Sequence, residues 1–152
     1  MLEKQDVFYM NAALAEANKA YELGEVPVGA VVVRYGEIIG RGHNLRETHK
    51  DPTAHAEIVA IKEACAAVSG WRLTESTIYV TIEPCPMCAG AVVLARLARL
   101  VYGAKDPKSG AVDSLFDLVR RQELNHRVAV TAGVLEEECQ AIMQKFFREL
   151  RS

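Results

Sequence analysis

The 152-residue sequence has one tryptophan, five prolines and four cysteines, and it contains no internal repeat, low-complexity tract or linker. A chain of this length with nothing to divide it reads as a single domain, residues 1–152, large enough to bury a core. No apolar run approaches the roughly 18 residues needed to cross a bilayer, and the opening Met1-Leu2-Glu3-Lys4-Gln5-Asp6 has no apolar signal core. These absences predict a cytoplasmic protein with no membrane association. In a reducing compartment four cysteines are poor material for disulfides, so the close pair Cys85 and Cys88 reads first as a metal or redox site.

A charge excess is missing too. The chain has 18 Lys and Arg against 20 Asp and Glu, which neither demands nor excludes a nucleic-acid partner. The distribution is uneven. Met1 to Ser76 holds 8 basic and 11 acidic residues, whereas Arg96 to Arg127 holds 7 basic and 4 acidic, and this predicts a local basic surface in the second half.

Apolar spacing organises the rest. Val7, Met10, Leu14, Ala17 and Tyr21 recur at helical intervals over Asp6–Leu23, and Gly24 follows where a helix would stop. Val28–Val33 and Glu37–Arg41 are β-prone runs around Arg34, Tyr35 and Gly36, the pattern of a hairpin. A polar loop over Leu45–Pro52 precedes an alternation: helix at Ala54–Val68, strand at Thr77–Ile82, helix at Pro86–Arg96 and strand at Leu100–Gly103. Lys105–Asp113 reads as a loop, Leu115–Arg121 as a short helix, Val128–Ala132 as a strand and Leu135–Leu150 as a closing helix. The alternation predicts an α/β fold, a three-layer α/β/α domain with a central five-stranded mixed sheet.

Two short segments carry the chemistry: Pro52-Thr53-Ala54-His55-Ala56-Glu57 and Glu83-Pro84-Cys85-Pro86-Met87-Cys88. Each precedes a helical pattern, with Pro52 or Thr53 able to open the first helix and Pro86 the second. His55, Cys85 and Cys88 then fall in first turns, where the helix dipole favours a metal-binding thiolate. One imidazole and two thiolates supply three protein ligands to Zn2+ and leave a fourth tetrahedral position for water, the arrangement of catalytic zinc. Such a water titrates near a pKa of about 7. Glu57, two residues after His55, converges with it only at a helix end, where it stays off the metal and serves as a proton shuttle. No second Cys-x-x-Cys is present to complete a structural zinc site. His-x-Glu followed by Pro-Cys-x-x-Cys is the signature of zinc base deaminases.

On these segments the chain resembles the cytidine deaminase-like superfamily, and within it the bacterial tRNA-specific adenosine deaminases. The resemblance extends over Val26-Pro27-Val28-Gly29-Ala30, Asp51 to Ile58, Gly103-Ala104-Lys105-Asp106, Gly110 to Leu118, Asn125-His126-Arg127-Val128 and Phe146-Phe147-Arg148. It implies hydrolytic deamination of the wobble adenosine of a tRNA anticodon stem-loop to inosine, in an arginine tRNA, by a homodimer with one zinc per subunit. It assigns His55, Cys85 and Cys88 to zinc and Glu57 to proton transfer. It further implies that Asn44 and the Ala56 backbone hold the purine, that Val28 and Ile82 form apolar walls, and that Asp106 contacts the sugar-phosphate strand.

Lys105 stands where many relatives carry arginine, and Pro86 is shared with guanine deaminases, so the metal motif does not name the substrate. A guanine or free-nucleoside deaminase is one alternative. A non-catalytic RNA-binding subunit with structural zinc is another, disfavoured by Glu57. Cys65 and Cys139 read as buried thiols, His43 and His49 as loop or strand residues, and His126 as an RNA contact by resemblance alone. The pair Phe146 and Phe147 can stack on bases or divide between core and surface.

Overall fold

In the computed structural model, which describes residues 3–151, five strands form one sheet in the order β2-β1-β3-β4-β5. Helix α1 (Lys4–Glu22) leads into the hairpin β1 (Gly29–Arg34) and β2 (Glu37–His43), followed by the single turn α2 (Arg46–His49) and by α3 (Ala56–Val68). Then come β3 (Ser76–Ile82), α4 (Pro86–Leu94), β4 (Arg99–Ala104), β5 (Ala129–Ala132) and α5 (Glu136–Arg151). β1 runs antiparallel to β2 and β3, whereas β3, β4 and β5 are mutually parallel. Among the described residues no helix is long and apolar enough to cross a membrane.

Strand alternation sorts the core into two layers. Ala30, Val32, Ile78, Val80, Leu100 and Tyr102 pack against α3 and α4 on one face, and Val31, Val33, Tyr79 and Val101 pack against α1 and α5 on the other. The sheet is thus covered on both sides, as the alternation of elements predicts. The hairpin turns through Tyr35 (φ 52°) and Gly36 (φ 77°), two consecutive left-handed residues of the kind a type I′ turn needs. Packing between β2 and α3 is close: a Cβ on Gly42 would lie 2.3 Å from the Ala56 carbonyl oxygen. Glycine there sets how near the start of α3 sits to the sheet.

Two segments differ from expectation. The polar stretch after β2 contains α2, held because the buried Glu25 carboxylate accepts hydrogen bonds from the N–H groups of Glu47 (3.2 Å) and Thr48 (2.6 Å) and from the Thr48 hydroxyl (2.7 Å). Leu115–Arg121, expected as a short helix, is irregular chain, and the turns lie just before it at Ala111–Ser114. Its backbone is committed elsewhere: Leu115 N–H donates to the Gly110 carbonyl and Leu118 N–H to that of Ala111. The Arg120 guanidinium also donates to the Val112 carbonyl (3.0 Å) and pairs with Asp113 (2.8 Å). Leu115 and Phe116 are exposed while Val119 is buried in the core with Leu118 packed beside it, so the segment is anchored through its second half without forming a helical turn.

Helix α1 is fastened by a buried ionic group. Asp6 receives two hydrogen bonds from Arg99 (2.8 and 2.7 Å) and one from the Tyr79 hydroxyl (2.8 Å), and Arg99 also donates to the Thr131 hydroxyl. The Arg99 hydrogen bonds hold the Asp6 carboxyl below its ordinary range despite burial. A carboxylate with a lowered folded-state pKa stabilises fully above its unfolded value, near 4, and loses that contribution as pH falls through the folded value. Asp6→Asn should therefore lower stability near neutrality by about 1–3 kcal/mol and flatten the acid limb of stability in the range below about pH 4. Urea melts of both proteins across that range measure it, and parallel acid limbs would contradict it.

Candidate active site

The two chemical segments meet beyond the carboxyl ends of the parallel strands, where open α/β sheets place their ligands. His55 is the residue before α3 and Cys85 the residue before α4, both with extended backbone (ψ 154° and 174°), and Cys88 lies in the first turn of α4. Pro86 opens α4 as expected, while α3 begins at Ala56, three residues after Thr53. Because His55 is not yet helical, Glu57 does not point away from it. Its carboxyl is buried beneath the same cavity.

His55 Nδ1 lies 3.6 Å from Cys85 Sγ and 3.5 Å from Cys88 Sγ, and the three donor atoms fall within 4.8 Å of one another. With metal–nitrogen and metal–sulfur bonds of about 2.0 and 2.3 Å, a tetrahedral centre separates its nitrogen and sulfur ligands by about 3.5 Å. The group can hold a metal ion without rearrangement. Its electrostatics suit a cation: hydrogen bonds from Cys88 and His55 hold the Cys85 thiol far below its ordinary range, so Cys85 is a thiolate at neutral pH. Cys88 is shifted the opposite way, by that hydrogen bond to Cys85 and by burial. Burial also pushes the Glu57 carboxyl up.

The cavity above these donors has a volume of about 590 Å3 and is bordered by Val28, Asn44, Ala56, Ile82 and Asp106, the five residues singled out from sequence as substrate contacts. Asn44 is nearly fully buried, donating to the Val26 carbonyl (3.3 Å) and accepting from Arg46 N–H (3.3 Å). Its amide retains one N–H and one lone pair for a ligand. Ala56, first residue of α3, has an N–H with no intrahelical acceptor. Asp106 is less free: its carboxylate accepts from the N–H groups of Lys108 (3.0 Å) and Ser109 (3.2 Å) and from the Ser109 hydroxyl (2.7 Å).

The basic surface expected from Arg96 to Arg127 is smaller than the tally implies. Arg99 pairs with Asp6, Arg120 with Asp113 and Asp117, and Arg121 with Glu123, so these charges are neutralised locally. Lys105 and Lys108 do border the cavity, joined by Arg46 from the first half. Arg46 was not singled out in the sequence, although its place two residues after Asn44 could have marked it. His126 is turned inward, with Nε2 2.7 Å from the Leu97 carbonyl oxygen. Phe146 packs against Tyr21, whereas Phe147 is partly exposed at the cavity rim. Cys139 is buried and Cys65 partly so.

A five-stranded α/β/α sandwich that joins one histidine and two cysteines at two helix starts, with a buried glutamate beside them, has the signature of a base deaminase. A family model of MafB19-like deaminases matches residues 3–151, and the chain belongs to that family. It is 56% identical over 147 residues to a tRNA-specific adenosine deaminase of Bacillus subtilis, an alignment that covers 97% of this chain and 91% of the relative. A solved structure from studies of A-to-I editing by tRNA deaminases at the wobble position superposes with a TM-score of 0.86 at 45% identity, covering 89% of this chain and 98% of the other. The guanine deaminase of Bacillus subtilis is more distant, with a TM-score of 0.63 at 37% identity over 68% of this chain and 66% of the other.

Loaded with cobalt(II) in place of other metals, the protein should show near-ultraviolet thiolate-to-cobalt charge-transfer absorption. Cys85→Ser should reduce that band and weaken binding at least about tenfold, because it removes a bond and a balancing charge. An unchanged spectrum in the variant would rule Cys85 out as a ligand.

Proposed function

We propose that this protein hydrolytically deaminates the wobble adenosine of a tRNA anticodon stem-loop to inosine, with an arginine tRNA as substrate. The reading rests on one juxtaposition: the His55, Cys85 and Cys88 donor set shares one cavity, roomy enough for a purine and part of its flanking strand, with the buried Glu57 carboxyl and with the free polar edges of Asn44 and Ala56. The relatives named tRNA-specific adenosine deaminase, similar along nearly the whole chain, support the choice of substrate. The protein acts as a cytoplasmic homodimer holding one zinc per subunit.

His55, Cys85 and Cys88 hold the zinc, their donor spacing fitting its bond lengths. When bound, zinc supplies a Lewis acid that makes water a nucleophile at neutral pH. The remaining steps fall to side chains and backbone. Asn44 and the Ala56 N–H would orient the purine so that its amino-bearing carbon faces His55, Cys85 and Cys88, and Val28 and Ile82 would flank the ring and exclude water. Glu57 takes one proton from the attacking water and delivers it to a ring nitrogen, then takes the second from the hydroxyl that this water has become on the ring carbon and passes it to the amino group, which leaves as ammonia. Burial suits it to this role by bringing the neutral and ionised forms closer in energy. A structural zinc site has no use for such a group, which weighs against a non-catalytic subunit.

The substrate reaches the cavity from an RNA loop because its base is already partly unstacked there, so extrusion costs less than the few kcal/mol required in a duplex. Arg46, Lys105 and Lys108 at the rim offer charge to the phosphates on either side, and Asp106 faces the ribose strand.

Glu57→Ala should keep the fold and the zinc yet lose at least about 100-fold in turnover. Metal content read beside the rate decides it, since parallel loss of both would make Glu57 a ligand. A synthetic anticodon stem-loop with adenosine at the wobble position should yield inosine, while free guanine, adenosine and cytidine remain unchanged. Asp106→Asn should narrow the preference for that RNA over a DNA loop of the same sequence. Rapid deamination of guanine with no inosine in the stem-loop would favour a guanine deaminase instead.

A further inference from the structure

Glu83, directly before the Pro84-Cys85 segment, is a carboxylate with almost no exposure and no basic partner within its hydrogen-bonding shell. All its neighbours there are donors from one stretch of chain. Oε2 accepts from the N–H groups of Val112 (3.0 Å), Asp113 (2.7 Å) and Ser114 (2.9 Å). Oε1 accepts from Asp106 N–H (3.1 Å) and from the Ser114 hydroxyl. Ionised carboxylate is the side-chain group suited to five donors, since an amide offers a single acceptor and brings a competing donor.

The loop closes tightly on this carboxylate. A Cβ on Gly110 would come 2.4 Å from Glu83 Cδ, so glycine is required for the segment to pass. Backbone bonds fasten the same two stretches from either side, with Glu83 N–H donating to the Ala104 carbonyl and Ala111 N–H to the Pro84 carbonyl, both at 2.8 Å. Between these anchors lie Asp106, Lys108 and Ser109, which form one wall of the cavity. Asp106 is fixed twice: its own N–H is held by Glu83, and its carboxylate is held by Lys108 and Ser109.

We propose that Glu83 is a positioning residue for the nucleic-acid strand: its buried carboxylate holds residues 106–114 in the one shape that presents Asp106, Lys108 and Ser109 to the nucleotides flanking the reacting base. The inference rests on the RNA-loop reading of the site. It separates two duties of neighbouring residues, with Cys85 serving the metal and Glu83, two positions earlier, serving the grip on the strand. Loss of Glu83 therefore weakens binding of a large substrate far more than it slows the chemical step.

The test compares wild type, Glu83→Gln and Ser114→Ala on the synthetic wobble-adenosine stem-loop, with zinc content and melting temperature measured alongside. KM should rise about tenfold in Glu83→Gln and about threefold in Ser114→Ala, with kcat falling much less and zinc remaining stoichiometric. If Glu83→Gln is not recovered folded, Ser114→Ala decides by the same split, because it removes one of the five donors and leaves the four backbone ones. Unchanged KM in the folded variants, or equal losses in kcat and zinc, would overturn the proposal while leaving the functional reading in place. An inactive wild type on the stem-loop would overturn that reading, and this inference with it.

Discussion

Helices α3 and α4 lie on the same face of the sheet and start at nearly the same point, and the residue before each start carries a metal-binding atom. His55 and Cys85 sit there in extended conformation, so their side chains reach across to one another instead of following their helices. The helix starts contribute unpaired N–H groups and a positive dipole end, which favour thiolate over thiol. This arrangement also explains where Glu57 and Ala56 lie. Both belong to the first turn of α3, so the geometry that brings His55 to the cysteines brings a buried carboxyl and a free N–H to the same cavity.

Around that centre the cavity walls are set by buried carboxylates that gather backbone donors. Glu25 organises the turn bearing Arg46 on one side, and Glu83 organises the loop bearing Asp106 and Lys108 on the other. Removing a carboxylate from water is costly unless its lone pairs are filled, and here they are filled by loop amides that would otherwise lack partners. The result is a pair of polar loops with defined shapes, lying on a rigid sheet, at the mouth of a reactive centre. A site of that kind binds an extended substrate with little ordering of the protein.

The fold was largely legible because its signals are local. Short β-prone runs marked the five strands, and Tyr35-Gly36 and Gly24 marked turns whose positive φ the structure displays. The metal donors were legible because their spacing carries chemistry at sequence level. The errors have a common physical origin in long-range polar contacts. Leu115–Arg121 has helical periodicity, yet its amides and Arg120 are taken up by partners earlier in the chain. The turn α2 forms in a polar stretch because of Glu25, more than twenty residues away. The basic tally in the second half overlooked that Arg99, Arg120 and Arg121 each have an acidic partner, one of them, Asp6, near the start of the sequence. Glu83 was visible only as part of a metal motif, because its role depends on a loop more than twenty residues downstream.

The central claim is that this cavity transfers the oxygen of water to the wobble adenosine of an RNA loop. Carrying out the reaction in oxygen-18 water and digesting the stem-loop for mass analysis tests that transfer at the atom concerned. The account predicts one oxygen-18 per inosine, confined to the wobble position, with one equivalent of ammonia released. Inosine without label, or labelled xanthine from guanine with an untouched stem-loop, would contradict it.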